Sequence, residues 1–257
     1  MAPRSIWNGT ITFGLVSVPV KLFTATENKS VSFHEVHRKD GARIEHRRLC
    51  SKDGKVVETK DMVKGYETSP GHYVVLDKDE VKAAAGDRGK VIHLERFVAA
   101  EEIDPVFFAK TYYVGTRDDE DAYRLLFEAL RKSGRSGVGR FSFHDREYLI
   151  ALRALEEVMA LSTLRFEDEV VSGGELEVAS PTRKPSAQEV KMAKQLVGMM
   201  DAEFDPSGYE DTYREAVLGL IKRKAKGEEI DLDAEEEPEH GDDLGAALKA
   251  SLGSGQR

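Results

Sequence analysis

Cysteine is nearly absent from this 257-residue chain: Cys50 stands alone. A lone cysteine rules out a disulfide within the chain and any cluster of thiolate metal ligands. No apolar run approaches the ~18 residues that a membrane-spanning helix needs. The start, Met1-Ala2-Pro3-Arg4, leads into a stretch interrupted by Asn8, Gly9, Thr10 and Thr12, which is not the apolar core of a secretory signal. A cytoplasmic protein is the expectation. Nucleotide chemistry also lacks its usual mark, since no Gly-rich loop leads into Lys-Ser or Lys-Thr. A net positive charge is absent as well: 47 acids outweigh 38 lysines and arginines, and the formal net charge of −9 on average argues against a polyanionic partner.

That average hides two opposite segments. Residues 228–243, EEIDLDAEEEPEHGDD, hold ten acids and neither lysine nor arginine; only Lys249 and Arg257 follow, so residues 1–227 carry a formal charge of −1. Between Arg38 and Lys55 lie seven bases (Arg38, Lys39, Arg43, Arg47, Arg48, Lys52, Lys55) against three acids (Asp40, Glu45, Asp53), a local excess of +4. The flanking stretch adds Lys60 and Lys64. Charge alone leaves two readings open, an ordinary solvated hairpin or a surface for phosphates.

Short strands dominate the body. Trp7, Gly9, Ile11 and Phe13 alternate with Asn8, Thr10 and Thr12, and after Gly14 the run through Val16, Val18 and Val20 alternates with Ser17 and Lys21. Period-two patterning rich in Ile, Val and Thr predicts strands. Pro19 is expected at an edge or a bulge, because it has no N–H for a ladder. Further strand candidates are 72–77, 90–98, 106–115, 137–144 and 147–153. So many short strands with turns between them predict a barrel or a sandwich. Helices are fewer. Residues 119–134 carry Ala122, Leu126, Phe127 and Leu130 on one face, with early acids, late bases and Gly134 as the stop. Ser186 and Glu189 form a capping box before Val190, Ala193, Val197 and Met200, and a second helical pattern runs through Tyr209, Tyr213, Val217 and Leu220.

Candidate catalytic groups resolve into structural roles. His34 and His37 face opposite sides of a strand and have no fellow ligands. GRSGVG at 134–139 follows a helix and enters a strand, the reverse of a phosphate loop, and reads as a helix stop. Asp118, Asp119, Glu120 and Asp121 form either a metal-binding cluster for phosphoryl chemistry or a helix start favoured by the macrodipole. Cys50 has no base beside it except His46, four positions away. No catalytic constellation emerges, and no cofactor or metal is expected.

The blocks IWNGTITFGLVSVPVKLFTAT, VKGYE with YVVL, and YEDTYREAVLGLIKRKAKGEEI resemble the bacterial Ku family of non-homologous end joining, in order over roughly residues 5–230. The resemblance implies a mixed, β-dominated fold: a Ku-core β-barrel over about 1–180, an extended insertion over about 29–100 and a helical arm over about 186–227, together making a core of 1–227. It implies a homodimer whose insertions encircle duplex DNA at a free end, without the amino-terminal von Willebrand-like domain of eukaryotic Ku. It gives the charged segment a task. Out and back at ~3.3 Å per residue, the stretch from Lys29 to Lys64 reaches about 50 Å, against a major groove ~12 Å wide. Arg38, Lys39, Arg43, Arg47, Arg48, Lys52, Lys55, Lys60 and Lys64 are then the expected DNA contacts, binding phosphates without reading sequence.

The carboxyl end reads as an acidic disordered linker, 228–241, and a short segment, 242–257. Asp242 or Asp243 caps a short helix there, with Leu244, Leu248 and Leu252 on one face. On physics alone this is either a frayed terminus or a helix that orders against a partner; the resemblance favours a partner, ligase D. Bacterial members of the resembled family often continue into a lysine-rich tail, and the expectation from LGAALKASLGSGQR is a protein without one. The alternatives to a DNA-end binder are a nucleic-acid-processing enzyme built on the 118–121 acids, and a protein scaffold that never touches DNA.

Overall fold

The computed structural model describes residues 4–85, 90–143, 146–175 and 184–228. They belong to two compact units: Met1–Asn28 with Glu35–Glu175, and Lys29–His34 with Leu176–Arg257.

The first unit is built on a closed seven-stranded barrel in the order β1-β2-β6-β9-β8-β7-β5. β1 (Trp7–Phe13) turns through Gly14 and Leu15 into β2 (Val16–Thr24), pairing Phe13 with Val16. The turn is this tight because Gly14 adopts φ +56°, a conformation costly for residues with a Cβ. The expected alternation holds: Trp7, Gly9, Ile11, Val18, Val20 and Leu22 are buried while Asn8 and Ser17 are exposed. Pro19 departs from expectation, since β2 lies between β1 and β6 inside the closed sheet. Its carbonyl accepts from Arg117 N (3.3 Å), on the β6 side and one residue past the last β6 pair, Val20 with Thr116. A strand residue's N and O point the same way, so the missing N–H falls where the ladder has already ended.

After the long excursion between β2 and β5, the barrel resumes with β5 (Val91–Ala99), which pairs parallel with β1 and antiparallel with β7 (Arg135–Phe143). The expected insertion over about 29–100 thus overlaps a barrel strand from Val91 onward. β6 (Phe108–Thr116), β8 (Arg146–Ala154) and β9 (Met159–Leu164) complete the wall. Every residue of β9 is buried, including Ser162 and Thr163. Their hydroxyls bond Thr111 Oγ1 (2.9 Å) and the Lys110 backbone (3.1 and 3.2 Å), which offsets the cost of burying them.

The barrel interior is filled by Ile11, Val18, Val20, Leu22, Ile92, Val114, Phe141, Ile150, Leu152, Met159 and Leu161. Each buried side chain of this kind contributes roughly 1.5–3 kcal/mol. α2 (Glu120–Ser133) adds Leu126 and Leu130 to that cluster and touches β2, β7 and β8. Asp119 caps it by accepting from Ala122 N (2.9 Å), and Gly134 ends it at φ +63°, so the GRSGVG glycines are a helix stop and a strand entry. The Tyr123 hydroxyl donates to Val114 O (2.6 Å) on β6 and accepts from Met159 N (3.2 Å) on β9. Burial pushes the pKa of this phenol up. Tyr123→Phe leaves both backbone groups without that partner, and chemical denaturation should show a loss of about 1–3 kcal/mol. An unchanged midpoint would show that water replaces the hydroxyl at no cost.

The excursion carries β3 (Lys64–Ser69), β4 (His72–Leu76) and α1 (Lys78–Ala85). In the second unit, α3 (Ala187–Met199) has the expected capping box: Ser186 Oγ accepts from Glu189 N (3.2 Å), and Glu189 Oε2 accepts from Ser186 N (2.7 Å). α4 (Thr212–Ala225) begins three residues after Tyr209, because Asp211 caps it through Arg214 N (2.9 Å). Neither helix buries a residue fully.

Candidate nucleic-acid interface

Two small hairpins, built alike, carry most of the expected DNA contacts. In the first, Val36 bridges Arg43, His37 N donates to Ala42 O (2.7 Å), Gly41 N to His37 O (2.8 Å) and Ile44 N to Glu35 O (2.9 Å). In the second, Leu49 bridges Val56, Cys50 N donates to Lys55 O (2.8 Å), Gly54 N to Cys50 O (2.8 Å) and Val57 N to Arg48 O (2.9 Å). The pattern repeats thirteen residues on, and its sequence mark is Lys39-Asp40-Gly41 against Lys52-Asp53-Gly54. Gly41 and Gly54 both take positive φ, +70° and +69°. Asp40 accepts from Ala42 N (3.0 Å) and His37 Nδ1 (3.0 Å), while Asp53 accepts from Lys55 N (3.2 Å). The backbone donors, Ala42 N–H and Lys55 N–H, are the main reason both carboxyls sit below the usual Asp pKa. Sequence reading missed the repeat, although the doubled Lys-Asp-Gly was there to find.

Each turn holds its aspartate against its own backbone and presents bases outward. Arg38, Lys39 and Arg43 belong to the first hairpin, Lys52 and Lys55 to the second, and Arg47 lies between them; all are exposed. Lys55 pairs with Asp53 (3.6 Å) and Lys60 with Glu58 (2.7 Å). Arg38, Lys39, Arg43, Arg47, Lys52 and Lys64 make no ion pair with a described carboxylate. Exposed and without a direct ion pair, these cations suit a partner of high negative charge density.

Arg48, Lys60 and Lys64 are brought together around a 680 Å³ concavity, whose lining also includes Asp77, Asp79 and Glu80. Arg48 leans on Met62 there (Nη1 to Sδ 3.6 Å), while Arg47 does not line this wall. Two histidines of the segment have carboxylate partners: His37 serves the Asp40 turn, and His46 Nε2 pairs with Glu35 at 2.9 Å. Among the described residues no three His, Cys, Asp or Glu side chains gather to hold a metal. Of the 118–121 acids, Asp118 binds Arg117 Nε (2.8 Å) and Asp119 is the α2 cap.

The same segment carries apolar residues with no core to enter. Both faces of the β3–β4 ribbon are exposed, Tyr73 and Val75 on one side and Val74 and Leu76 on the other, with Tyr66 beside them. A two-stranded ribbon is marginal by itself in water, and a patch of this size on a soluble surface marks an interaction site. Leu244, Leu248 and Leu252 lie outside the described residues. No helix among the described residues is long and apolar enough to cross a membrane.

Comparison with known proteins bears on the whole chain. Residues 12–192 match the family model described as the Ku70/Ku80 beta-barrel domain. The chain is 43% identical over 258 residues to the non-homologous end joining protein Ku of Anaeromyxobacter sp. (strain K), covering 99% of this chain and 86% of that protein. It is 37% identical to that of Koribacter versatilis, covering 88% and 78%, and 34% identical to that of Bacillus subtilis, covering 97% and 81%. Among solved structures, the SPOC domain of human PHD-finger protein 3 overlaps 63% of this chain and 95% of its own at 11% identity. Its TM-score of 0.30 is too low to carry an argument. A closed β-barrel, a charged excursion between its second and fifth strands and matches of this extent place the chain in the Ku family of non-homologous end joining proteins.

Proposed function

We propose that two copies of this chain form a ring that threads onto free ends of duplex DNA, binds them through phosphates without sequence preference, and brings in the end-joining ligase, ligase D. The observation that carries this reading is the excursion itself. Its cations are exposed and mostly unpaired, while its valines, leucine and tyrosines are exposed and unpacked. A second copy supplies the apolar partner that one chain does not, and leaves the bases facing a lumen. Phosphate contacts suit broken ends, whose sequence is arbitrary. The role is binding and recruitment rather than catalysis, and it belongs in the cytoplasm, where the nucleoid is.

Topology provides the test. A ring must be threaded, so linear plasmid should bind and the same plasmid as relaxed closed circles should not, beyond weak non-specific contact. Circles that compete as well as linear DNA at equal mass would defeat the ring. Incubation of homogeneous protein with labelled duplex and magnesium separates this reading from a nuclease, because cleavage contradicts it.

Ligase recruitment is assigned to Leu244, Leu248 and Leu252. Truncation after Gly241 should leave end binding unchanged and abolish stimulation of the cognate ligase. Full stimulation by the shortened protein would move the contact elsewhere, most naturally to the 186–227 helical arm, where Val197, Met200, Tyr209 and Tyr213 are exposed.

A further inference from the structure

α2 carries a broader apolar stripe than the barrel covers. Ala122, Leu125, Leu126, Ala129, Leu130 and Ser133 recur along one face at helical spacing. Leu126 and Leu130 are buried in the barrel's cluster, whereas Leu125 is 70% exposed. All six line an apolar groove of about 440 Å³ between the helix and the β1–β2 turn, to which no residue of the charged excursion contributes. Phe13 and Phe97 wall it and meet edge to face at 6.0 Å. Phe97 and Val16, also in the lining, are each 41% exposed. From Ala122 to Ser133 the groove follows about 16 Å of helix. Its volume is that of a ligand site, and alanines in the lining let a second helix approach α2 closely. Arg135, just past the Ser133 end, lines the same groove, is exposed, and makes no ion pair with a described carboxylate.

We propose that this groove docks an amphipathic helix of another protein, one with large apolar side chains at i, i+3, i+4 and i+7 and a carboxylate facing Arg135. The length of the groove suits two to three turns of helix, and its lining suits apolar anchors. Its one guanidinium selects an acid at the end of the occupant, because an arginine and a carboxylate form a strong charge-assisted pair. The same charge argues against a second copy of this chain. α3 carries Lys191 and Lys194 against Glu189, and α4 carries Arg214, Lys222, Arg223 and Lys224 against Glu215. Either helix would bring a net positive charge to Arg135, and like charges across an interface repel. The apolar anchors supply the affinity, and the ion pair sets which way the partner helix runs.

Fluorescence anisotropy on the full-length protein tests it. The probe is a labelled helical peptide of about 14 residues, with leucines at that spacing and a glutamate at each end. One counterpart carries lysines in place of the glutamates, and another carries serines in place of the leucines. The glutamate peptide should bind about tenfold more tightly than the lysine peptide, and the serine peptide should not bind measurably. Arg135→Glu should invert the order of the two charged peptides, and Leu125→Ser should weaken both about tenfold or more. Both positions are exposed, so the melting temperature and DNA-end binding of each variant should stay near the parent's. Equal binding of the two charged peptides would overturn the proposal, as would an order that survives Arg135→Glu. Sedimentation showing that Leu125→Ser alone breaks up a self-associated parent would give the groove to a second copy and overturn it too.

Discussion

Replacing Arg43, Arg47 and Arg48 together by glutamate is expected to weaken duplex-end binding by roughly 100-fold or more at moderate salt. In the proposed homodimer each position occurs twice, so six cations become six anions against phosphate. The loss should be the same for every end sequence, because phosphate contacts orient without reading bases. The salt dependence should flatten too, by about 0.9 in log–log slope for each phosphate contact removed. Stability should hardly move. All three side chains are exposed and outside the barrel, where a substitution typically changes stability by less than about 0.5 kcal/mol. Electrophoretic mobility shifts over a salt series, beside a thermal melt, measure both quantities. A triple variant that folds, dimerises and binds ends like the parent would remove these residues from the interface.

Gly139→Ala should damage the fold far more than any surface change. The β5–β7 register shifts between Leu94, paired with Gly139, and Arg96, paired with Val138, so Glu95 is an extra residue in a bulge. The bulge presses β5 onto Gly139: a Cβ there would stand 1.9 Å from His93 O and 2.8 Å from Leu94 Cα. Backbone cannot swing aside as a side-chain tip can, so the strands must part. The cost should be about 3 kcal/mol or more, a drop in melting temperature of roughly 6–12 °C for a chain of this size. Gly137→Ala is the control, since its new Cβ would meet only side-chain atoms of Leu94 and Phe97 at 3.0–3.4 Å. Equal melting temperatures for the two variants would contradict the close approach. Outside the barrel, Glu95 accepts from Arg140 (3.0 Å), which also bonds Glu147 (2.7 Å), so the bulged residue is tied down.

What was legible in the sequence is what local rules govern. Alternation at Trp7–Phe13 and the capping signals at Asp119, Ser186 and Gly134 reach only a few residues, and the structure follows them. β9 was not legible, because it is buried on both faces and its Ser162 and Thr163 break an apolar run. Their burial depends on Lys110 and Thr111, some fifty positions away, and no window sees that pairing. Pro19 misled for a related reason: its place depends on where β6 stops. The excursion's charge could be counted in advance, but its geometry could not. The bases present themselves outward because two Asp-Gly turns occupy their own aspartates. Arg48 sits in a concavity formed with Lys60, Lys64 and Leu76, and that grouping exists only once the ribbon folds back.

The seam between β1 and β5 joins Thr10 to Val91, Ile11 to Ile92 and Thr12 to His93, and nothing else completes the barrel. It closes a loop of about eighty residues, and only the β2–β6 pairing, where Val20 meets Thr116, spans more of the chain. Loop-closure entropy rises only with the logarithm of length, so doubling the excursion would cost the barrel about 0.6 kcal/mol. The arm's reach and the barrel's stability are thus nearly independent variables. A lineage can lengthen or shorten the excursion by inserting or deleting residues there, with little compensation required in the core. In folding, the β1–β2, β5–β7, β7–β8, β8–β9 and β6–β9 pairs join shorter stretches of chain and zip first, and the two long closures, β1–β5 and β2–β6, follow.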